Sequence, residues 1–275
     1  MFLLRPSWRT NQTFRYCVAY AAAQTGILLH ALVVLSNHWH AVLTDPDGRL
    51  PDFLACVHKL VAKAQNASLG RWENLWATEP YSAVRLETDA DVVAKILYVL
   101  SNPAAAGLVR RAKQWPGVLA GPEQYGKPAV ALRPSIFFRR NGEMPEQLAL
   151  RLTPPPGIDD VPQFRRAIAM ALDTREKELI QAASASGRAF LGPRGVLAQK
   201  FSASPATAAP RRKLAPRVAC LDKWRRIEAL GRLKAFVAVY REARERWKAG
   251  LAAVFPLGTY WLRLHAGVEC VPSSA

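Results

Sequence analysis

The stretch "ILLHALVVLSNHWHAVLT", residues 27–44, contains the pattern from which the architecture of this chain follows. Residues 27–35 form an apolar run of the length expected for a buried strand, and residues 38–44 form a second, mainly apolar run. Ser36 and Asn37, which separate the two runs, are typical turn residues. The stretch therefore predicts two consecutive antiparallel strands joined by a tight turn.

Helical patterns flank this hairpin. Apolar residues recur at helical spacing over residues 11–26 and again over residues 50–69, and a glycine stops each pattern. Thr88 is a good cap for a third helix, because its hydroxyl can accept hydrogen bonds from free N–H groups. This helix is predicted to end near Ser101, because Pro103 disfavours the helical conformation of the residue before it.

A further strand is predicted in "YSAVRLE", residues 81–87. The element order is then α-β-β-α-β-α, which predicts an α+β fold in which an antiparallel sheet carries helices on one face. A strand before the first helix would complete the edge of this sheet, and only "MFLLR", residues 1–5, is available for it. That first strand is predicted to be very short or missing.

Positive charge is concentrated in the second part of the chain. The formal net charge is +17, yet residues 1–109 hold nine Lys and Arg against eight Asp and Glu, while the remaining residues hold 29 against 13. Such a surface attracts polyanions, so nucleic acid is the predicted partner. We divide the chain into a first domain, residues 1–112, and a basic, mainly α-helical extension, residues 113–275. Helices are predicted there over about 160–186 and about 221–249.

Contacts to DNA are predicted for basic residues of this extension. Phe137 and Phe138 precede the first two of them, and aromatic side chains beside cations are typical of single-strand binding. The alternative is a buried Phe pair beside a solvated Arg pair. The candidate residues are Arg139, Arg140, Arg211, Arg212 and Lys213.

The sequence lacks the features of a membrane or exported protein. It has no uncharged apolar run of about 18 residues, and its apolar N-terminal segment is too short for a signal peptide. The four cysteines are scattered, without a C-x-x-C pair that would suggest a zinc or redox site. We therefore expect a cytoplasmic protein.

His38 and His40 are a candidate metal site. Side chains two residues apart on a strand point to the same face, so the two imidazoles lie together and Trp39 points to the other face. Two histidines on one rigid strand can hold one metal ion, although two exposed or core histidines are the alternative. Tyr98 and Asn102 lie four residues apart on the third helix, so they share a face. A phenol could attack a phosphodiester there, and an amide oxygen could complete the ligands of the ion.

The two motifs together resemble a known family. "SNHWHAV", residues 36–42, and "YVLSNPAAAGLV", residues 98–109, are similar to the REP-associated tyrosine transposases, a branch of the single-tyrosine HUH transposase family. The likeness covers about residues 11–110. It implies the HUH nuclease fold, a ferredoxin-like antiparallel sheet of order β-α-β-β-α-β followed by a helix, and makes residues 1–112 the catalytic domain.

The resemblance also implies roles for particular residues. His38 and His40 match the metal-ligating pair of the family, Tyr98 matches the nucleophile, and Asn102 matches the third ligand. The implied metal is Mg²⁺ or Mn²⁺. The implied reaction is cleavage of single-stranded DNA beside hairpin or palindromic repeats through a 5′-phosphotyrosine intermediate, followed by strand transfer.

Other functions and other site residues stay open. A domesticated protein that binds hairpin DNA with weak or no cleavage would keep the same fold, and the weak first strand favours it. A metal-dependent hydrolase of small phosphoesters would use the histidines without the tyrosine, but it would not need the positive charge. Tyr81 is a competing nucleophile, and His30 and His58 are further histidines that could reach the site.

Overall fold

The computed structural model describes residues 1–78, 81–139, 141–205 and 216–272. The helices are α1 (Trp8–Thr25), α2 (Leu50–Leu69), α3 (Asp89–Ala105), α4 (Val161–Ala185), α5 (Gly192–Ala198), α6 (Lys223–Lys248) and α7 (Tyr260–Ala266). The strands are β1 (Leu28–Val34), β2 (Trp39–Thr44), β3 (Arg85–Leu86), β4 (Leu119–Ala120), β5 (Ala129–Leu132), β6 (Gln147–Leu150) and β7 (Val218–Ala219). Within these ranges, no helix has both the length and the apolar character needed to cross a membrane.

The predicted hairpin forms the centre of the main sheet. β1 and β2 pair antiparallel, with Val33 opposite His40 and Val34 opposite Trp39. The backbone N–H of Leu35 donates to the carbonyl of His38 at 2.8 Å and closes the turn. β4 pairs antiparallel with the other edge of β1, so the sheet has the order β2-β1-β4. The chain is therefore an α+β protein with a three-stranded antiparallel sheet.

The helix boundaries follow local signals at most of the predicted positions. α1 ends at Gly26 and α2 ends at Gly70, with φ angles of 72° and 63°. Glycine adopts this left-handed conformation without the steric cost that a Cβ atom imposes. α3 begins at Thr88, which exchanges hydrogen bonds with Asp91 in a capping box. These three predictions from the sequence are confirmed.

α3 continues beyond its predicted end. It includes Pro103 and ends at Ala105, so the prediction of an end near Ser101 is wrong. Proline removes only one backbone donor, the N–H that would bond the carbonyl of Val99, and helical bonding continues beyond it, since the N–H of Ala106 donates to the carbonyl of Asn102 at 2.9 Å. The helix therefore carries Asn102 as well as Tyr98.

Helices cover both faces of the central sheet. Leu32 and Val34 of β1 lie in a hydrophobic core with residues of α1 and α2, whereas Ala31 and Val33 lie in a second core with residues of α3. The prediction of helices on one face is therefore wrong. Six of the seven residues of β1 are buried, and a strand that is apolar on both sides needs cover on both.

The edges of the sheet also differ from the prediction. Of residues 81–87, only β3 is a strand, and it pairs in parallel with β7 outside the central sheet. Residues 1–7 contain no strand, although the N–H of Leu4 donates to the carbonyl of Ser36 at 2.8 Å. The strand beside β1 is β4, which comes from the chain beyond residue 112. Short segments such as these carry too little apolar pattern to reveal their partners.

Residues beyond 112 complete both hydrophobic cores. Tyr125 is fully buried, and its hydroxyl donates to the carbonyl of His30 at 2.9 Å. Leu150 lies in the core of α1 and α2, while Ile168 and Val196 lie in the core of α3. The division predicted at residue 112 therefore does not mark a break in the packing, because it followed surface charge rather than buried side chains.

The C-terminal residues attach to the beginning of α3. The N–H of Leu221 donates to the Oδ1 atom of Asp91 at 2.7 Å, and Arg232 of α6 pairs with Glu87 at 2.6 Å. α4 and α6 match the two long helices predicted for this part of the chain. Most of α6 nevertheless stays exposed, and even its apolar residue Leu230 keeps 45% of its surface accessible.

Candidate active site

The histidine pair lies where the hairpin turns into β2. His38 immediately precedes β2 and His40 lies on it, and their ring centroids are 4.9 Å apart. Trp39 points to the opposite face, where its ring contacts Phe14 at 5.7 Å and its indole N–H donates to the Nε2 atom of His58 at 3.3 Å. The prediction that Trp39 points away from His38 and His40 is confirmed. His58 contacts Trp39 and therefore lies on the opposite face of the sheet from the histidine pair.

Tyr98 contacts this pair from α3. Its ring centroid lies 5.4 Å from that of His40, with the ring planes at 77°. The neighbours of Tyr98 on α3, Ile96 and Val99, are buried in the second core, which fixes the helix against β1 and β2. Tyr98 itself keeps 48% of its surface exposed. The phenol is thus held beside a histidine and is open to a ligand from solvent.

The imidazole of His40 has an unused nitrogen. Its Nε2 atom is buried and has no hydrogen-bond partner in the described part of the chain. Burial first, and then the neighbouring His38 and Lys95, lower the pKa of His40 to about 4. The ring is therefore neutral at neutral pH, and the form of imidazole that binds a metal ion is the neutral one.

His38 also has a ring nitrogen with a free electron pair. Its Nδ1 atom lies 2.7 Å from the Oδ1 atom of Asn37, which can only accept, so Nδ1 carries the proton and Nε2 has the free electron pair. Although His38 reaches the surface, partial burial of its ring lowers its pKa as well. A hydrogen bond to the second ring nitrogen is the usual way in which a metal-binding histidine is oriented. The pair therefore fits a divalent metal ion.

Asn102 lies one turn after Tyr98 on α3 and keeps only 8% of its surface exposed. Within the described ranges its side-chain amide makes no hydrogen bond and has no ring or ionic contact with the histidine pair. Among the same residues, no three His, Cys, Asp or Glu side chains form a group that could hold a metal ion. The role of Asn102 as a third ligand therefore stays a prediction.

Lys95 belongs to the same surface and was missed from the sequence. Its Nζ atom lies 5.1 Å from the centroid of the Tyr98 ring, one helical turn before it. Its charge contributes to the lowered pKa of His40 and could attract a phosphate to the phenol. The available signal was the three-residue spacing between Lys95 and Tyr98 on a helix.

The other candidate residues lie elsewhere. His30 is buried inside the fold, where its ring nitrogens lie 2.9 Å from the Thr153 carbonyl and 2.9 Å from the Thr44 hydroxyl. Tyr81 is exposed, and it makes no ring contact with the histidine pair in the described ranges. Both positions are explained without a role in the site.

Of the five residues predicted to contact DNA, only Arg139 lies in the described part of the chain. Arg139 is exposed, while the adjacent Phe138 is buried against Tyr16. Phe137 is 45% exposed, so the two phenylalanines do not form one buried pair. The remaining candidates lie outside the described residues: Arg140, Arg211, Arg212 and Lys213.

Comparison of the chain with protein-family models, with curated proteins and with solved structures finds no match. What the chain can do chemically therefore follows from its side chains. They bring a phenol, a lysine and two neutral imidazoles to one surface, and this set suits the transfer of a phosphoryl group to a tyrosine.

Proposed function

We propose that this protein is a single-strand DNA endonuclease and strand transferase, related to the REP-associated tyrosine transposases and built on a reduced ferredoxin-like HUH fold. The observation that carries the proposal is the contact between His40 and Tyr98. These residues are 58 positions apart in the chain, yet their rings lie 5.4 Å apart. The unpaired Nε2 atom of His40 supports a metal site beside the phenol.

In the proposed reaction the phenolic oxygen of Tyr98 attacks the scissile phosphorus. A bond forms between this oxygen and phosphorus, the bond from phosphorus to the 3′ oxygen breaks, and the phenolic proton passes overall to that oxygen. The products are a 5′-phosphotyrosine and a free 3′-OH. Attack by another 3′-OH reverses the exchange and joins two strands without a nucleotide cofactor, because the phosphodiester energy stays in the covalent link.

The side chains around Tyr98 have distinct tasks in this proposal. His38 and His40, with Asn102 as the predicted third ligand, would hold Mg²⁺ or Mn²⁺, which would neutralise and polarise the phosphate. Lys95 would orient the same phosphate by its charge. The neutral state of His40 keeps its nitrogen available as a ligand at neutral pH.

The charge distribution supports DNA as the substrate. Residues beyond 109 hold 29 Lys and Arg against 13 Asp and Glu, so their surface would attract the phosphate backbone. Single-stranded DNA with hairpin repeats fits a site that is open on one side, because unpaired bases leave a phosphodiester accessible beside a folded stem. The exposed 48% of Tyr98 meets this requirement.

A covalent adduct tests the proposal. Purified protein is incubated with Mn²⁺ and labelled single strands that contain palindromic repeats, and the adduct is counted on a denaturing gel. The adduct should require the metal and disappear in Tyr98→Phe. Tyr81→Phe is the matched control, because Tyr81 is 46% exposed against 48% for Tyr98, and its adduct should persist. An undiminished adduct in Tyr98→Phe would exclude this nucleophile.

The second candidate function is a domesticated protein that binds hairpin DNA without efficient cleavage. It is favoured by the site's reliance on two histidines, since no third His, Cys, Asp or Glu joins them among the described residues. Specific binding of the hairpin, with no adduct under any metal, would support it. A hydrolase of small phosphoesters would instead retain its activity in Tyr98→Phe.

A further inference from the structure

A concave surface lies outside the candidate active site. We call it the Trp8 groove and define it by Arg5, Trp8, Arg9, Gln65 and Phe201, which line it. Its volume is about 500 Å³, within the roughly 300–1,000 Å³ that is typical of small-molecule sites. Its walls come from the N-terminal segment with the first turn of α1, from the end of α2, and from the segment after α5.

Two aromatic side chains stand at the surface of this groove. Trp8 is 73% exposed and Phe201 is 37% exposed. The backbone around them is fixed, because the N–H of Phe2 donates to the carbonyl of Phe201 at 3.0 Å. The floor is fixed too, since buried Gln65 donates to the carbonyl of Leu3 at 2.9 Å. Flat apolar rings held open to solvent in this way can stack on a nucleobase.

The charge of the groove is positive. Arg5 and Arg9 line it, and no Asp or Glu is among its lining residues in the described part of the chain. Arg5 donates to the carbonyl of Gln199 at 2.7 Å, which holds its guanidinium in place. Arg9 is exposed and forms no ion pair with any described residue. The groove therefore combines stacking surfaces with a cation that has no ion-pair partner among the described residues, and a nucleotide has the complementary parts.

Hydrogen bonds connect the groove to the strand that carries the histidines. The N–H of Leu4 donates to the carbonyl of Ser36 at 2.8 Å. The hydroxyl of Ser36 donates to the side-chain oxygen of Gln199 at 3.3 Å. Ser36 is two residues before His38. These hydrogen bonds tie the N-terminal segment and the segment after α5, which form two walls of the groove, to the turn before β2.

We propose that the Trp8 groove binds an unpaired nucleotide of single-stranded DNA, with its base stacked on Trp8 and Phe201 and its phosphate beside Arg9. The identity of the strand rests on the proposed function, but the groove itself contains no residue of the proposed chemistry. It would hold DNA that flanks the cleaved phosphate and would set which flanking base is preferred.

Binding without cleavage tests this proposal. Fluorescence anisotropy measures the affinity of the full chain for a labelled single strand of about ten nucleotides, in EDTA so that no metal-dependent reaction occurs. Trp8→Ala should weaken binding roughly 5- to 150-fold, the range for loss of one stacked base. Trp8→Phe, which keeps a stacking ring, should recover most of the affinity. Trp261→Ala is the control, because Trp261 is also exposed, at 53%, and lies on α7, outside the groove and outside α6.

A scan with abasic nucleotides identifies the bound base. One abasic position should weaken binding to the unmodified protein and have no further effect on Trp8→Ala. Arg9→Gln should weaken binding and reduce its salt dependence. Equal affinities of Trp8→Ala and the unmodified protein would overturn the proposal, and so would an equal loss in Trp261→Ala or a loss that no abasic position reproduces.

The result of this binding experiment can be distinguished from the result of the adduct experiment that tests the proposed function. Loss of binding in Trp8→Ala without any adduct in the unmodified protein would retain the groove and reject the nuclease. An adduct that forms normally while Trp8→Ala binds DNA unchanged would retain the nuclease and reject the groove. Failure to bind any single strand would reject both.

Discussion

The β1–β2 hairpin, which packs on α3, differs sharply from α6 in charge and in burial. Residues 28–44 contain no Asp, Glu, Lys or Arg, and β1 is buried in six of its seven positions. α6 has nine Lys and Arg against three Asp and Glu over 26 residues, and only Ala229 and Ala243 are buried there. One region is held by packing, and the other presents charge to solvent.

The two parts of the proposed function need opposite environments. A phenol and two imidazoles must keep a defined geometry, which buried neighbours provide by excluding alternative rotamers. Charges that attract a polyanion must stay hydrated until the partner arrives, because burying them would cost free energy. The comparison therefore predicts that substitutions in the two regions will affect different measurements.

The largest expected change in free energy follows a cavity in the hairpin. Leu32→Ala should lower the free energy of unfolding by about 2–5 kcal/mol, because Leu32 is fully buried in the core of α1 and α2. Leu230→Ala on α6 should change it by about 0.5 kcal/mol or less, since Leu230 is 45% exposed. Urea titration measures both. Equal losses would contradict the distinction between the regions.

Removal of one proposed metal ligand should have the next largest effect. His40→Ala should reduce adduct formation by more than about 100-fold. Loss of a residue that only hydrogen-bonds to a metal ligand costs roughly 10- to 100-fold, and loss of the ligand itself should cost more. His265→Ala on α7 is the control and should form the adduct at the unmodified rate, because His265 contacts Asp52 and lies outside the site. Retained activity in His40→Ala at low Mn²⁺ would reject the metal assignment.

Neutralising α6 should have a smaller effect that depends on salt. Arg225, Lys234 and Arg241 are exposed and form no ion pair with the described residues. Their joint replacement by glutamine should lower the slope of log affinity against log salt by up to about 2, at roughly 0.7 for each lost phosphate contact. Adduct formation at saturating DNA should be unchanged. An unchanged salt slope would show that α6 does not contact DNA.

The hairpin region should also be sensitive to acid. Burial lowers the pKa of His30 and His40 below the ordinary 6.5, to about 4 for His40. Below pH 6.5 the unfolded chain therefore binds protons more readily than the folded chain, and the free energy of unfolding should fall towards pH 4. Urea midpoints at constant ionic strength measure this change. A midpoint that is independent of pH across this window would contradict these shifts.

Much of the local structure could be predicted because its signals lie in adjacent residues. The apolar runs of 27–35 and 38–44 predict the hairpin, and Gly26, Gly70 and Thr88 mark helix ends through their own backbone and hydroxyl chemistry. The shared face of the two histidines follows from the pleat of a strand. These features require no knowledge of distant parts of the chain.

Other features depended on partners that local patterns do not identify. The predicted third strand pairs outside the sheet, and β4 occupies the edge beside β1 instead. α3 lies on the face opposite α1 and α2, and only this placement brings Lys95 and Tyr98 to His40. The closeness of Tyr98 to the histidines could be expected from the family resemblance, but not from spacing alone.

Patterns in the sequence are enough to predict the hairpin, the long helices, the common face of His38 and His40, and a positive charge that attracts polyanions. These follow from periodicity, caps and composition, which act over a few residues or over the whole chain. Tertiary packing alone settles which face α3 covers, which nitrogen of His40 lacks a partner among the described residues, and that Trp8 and Phe201 line one groove. Those outcomes depend on buried contacts between distant segments, because the free energy of packing is gained only when the complete core is assembled.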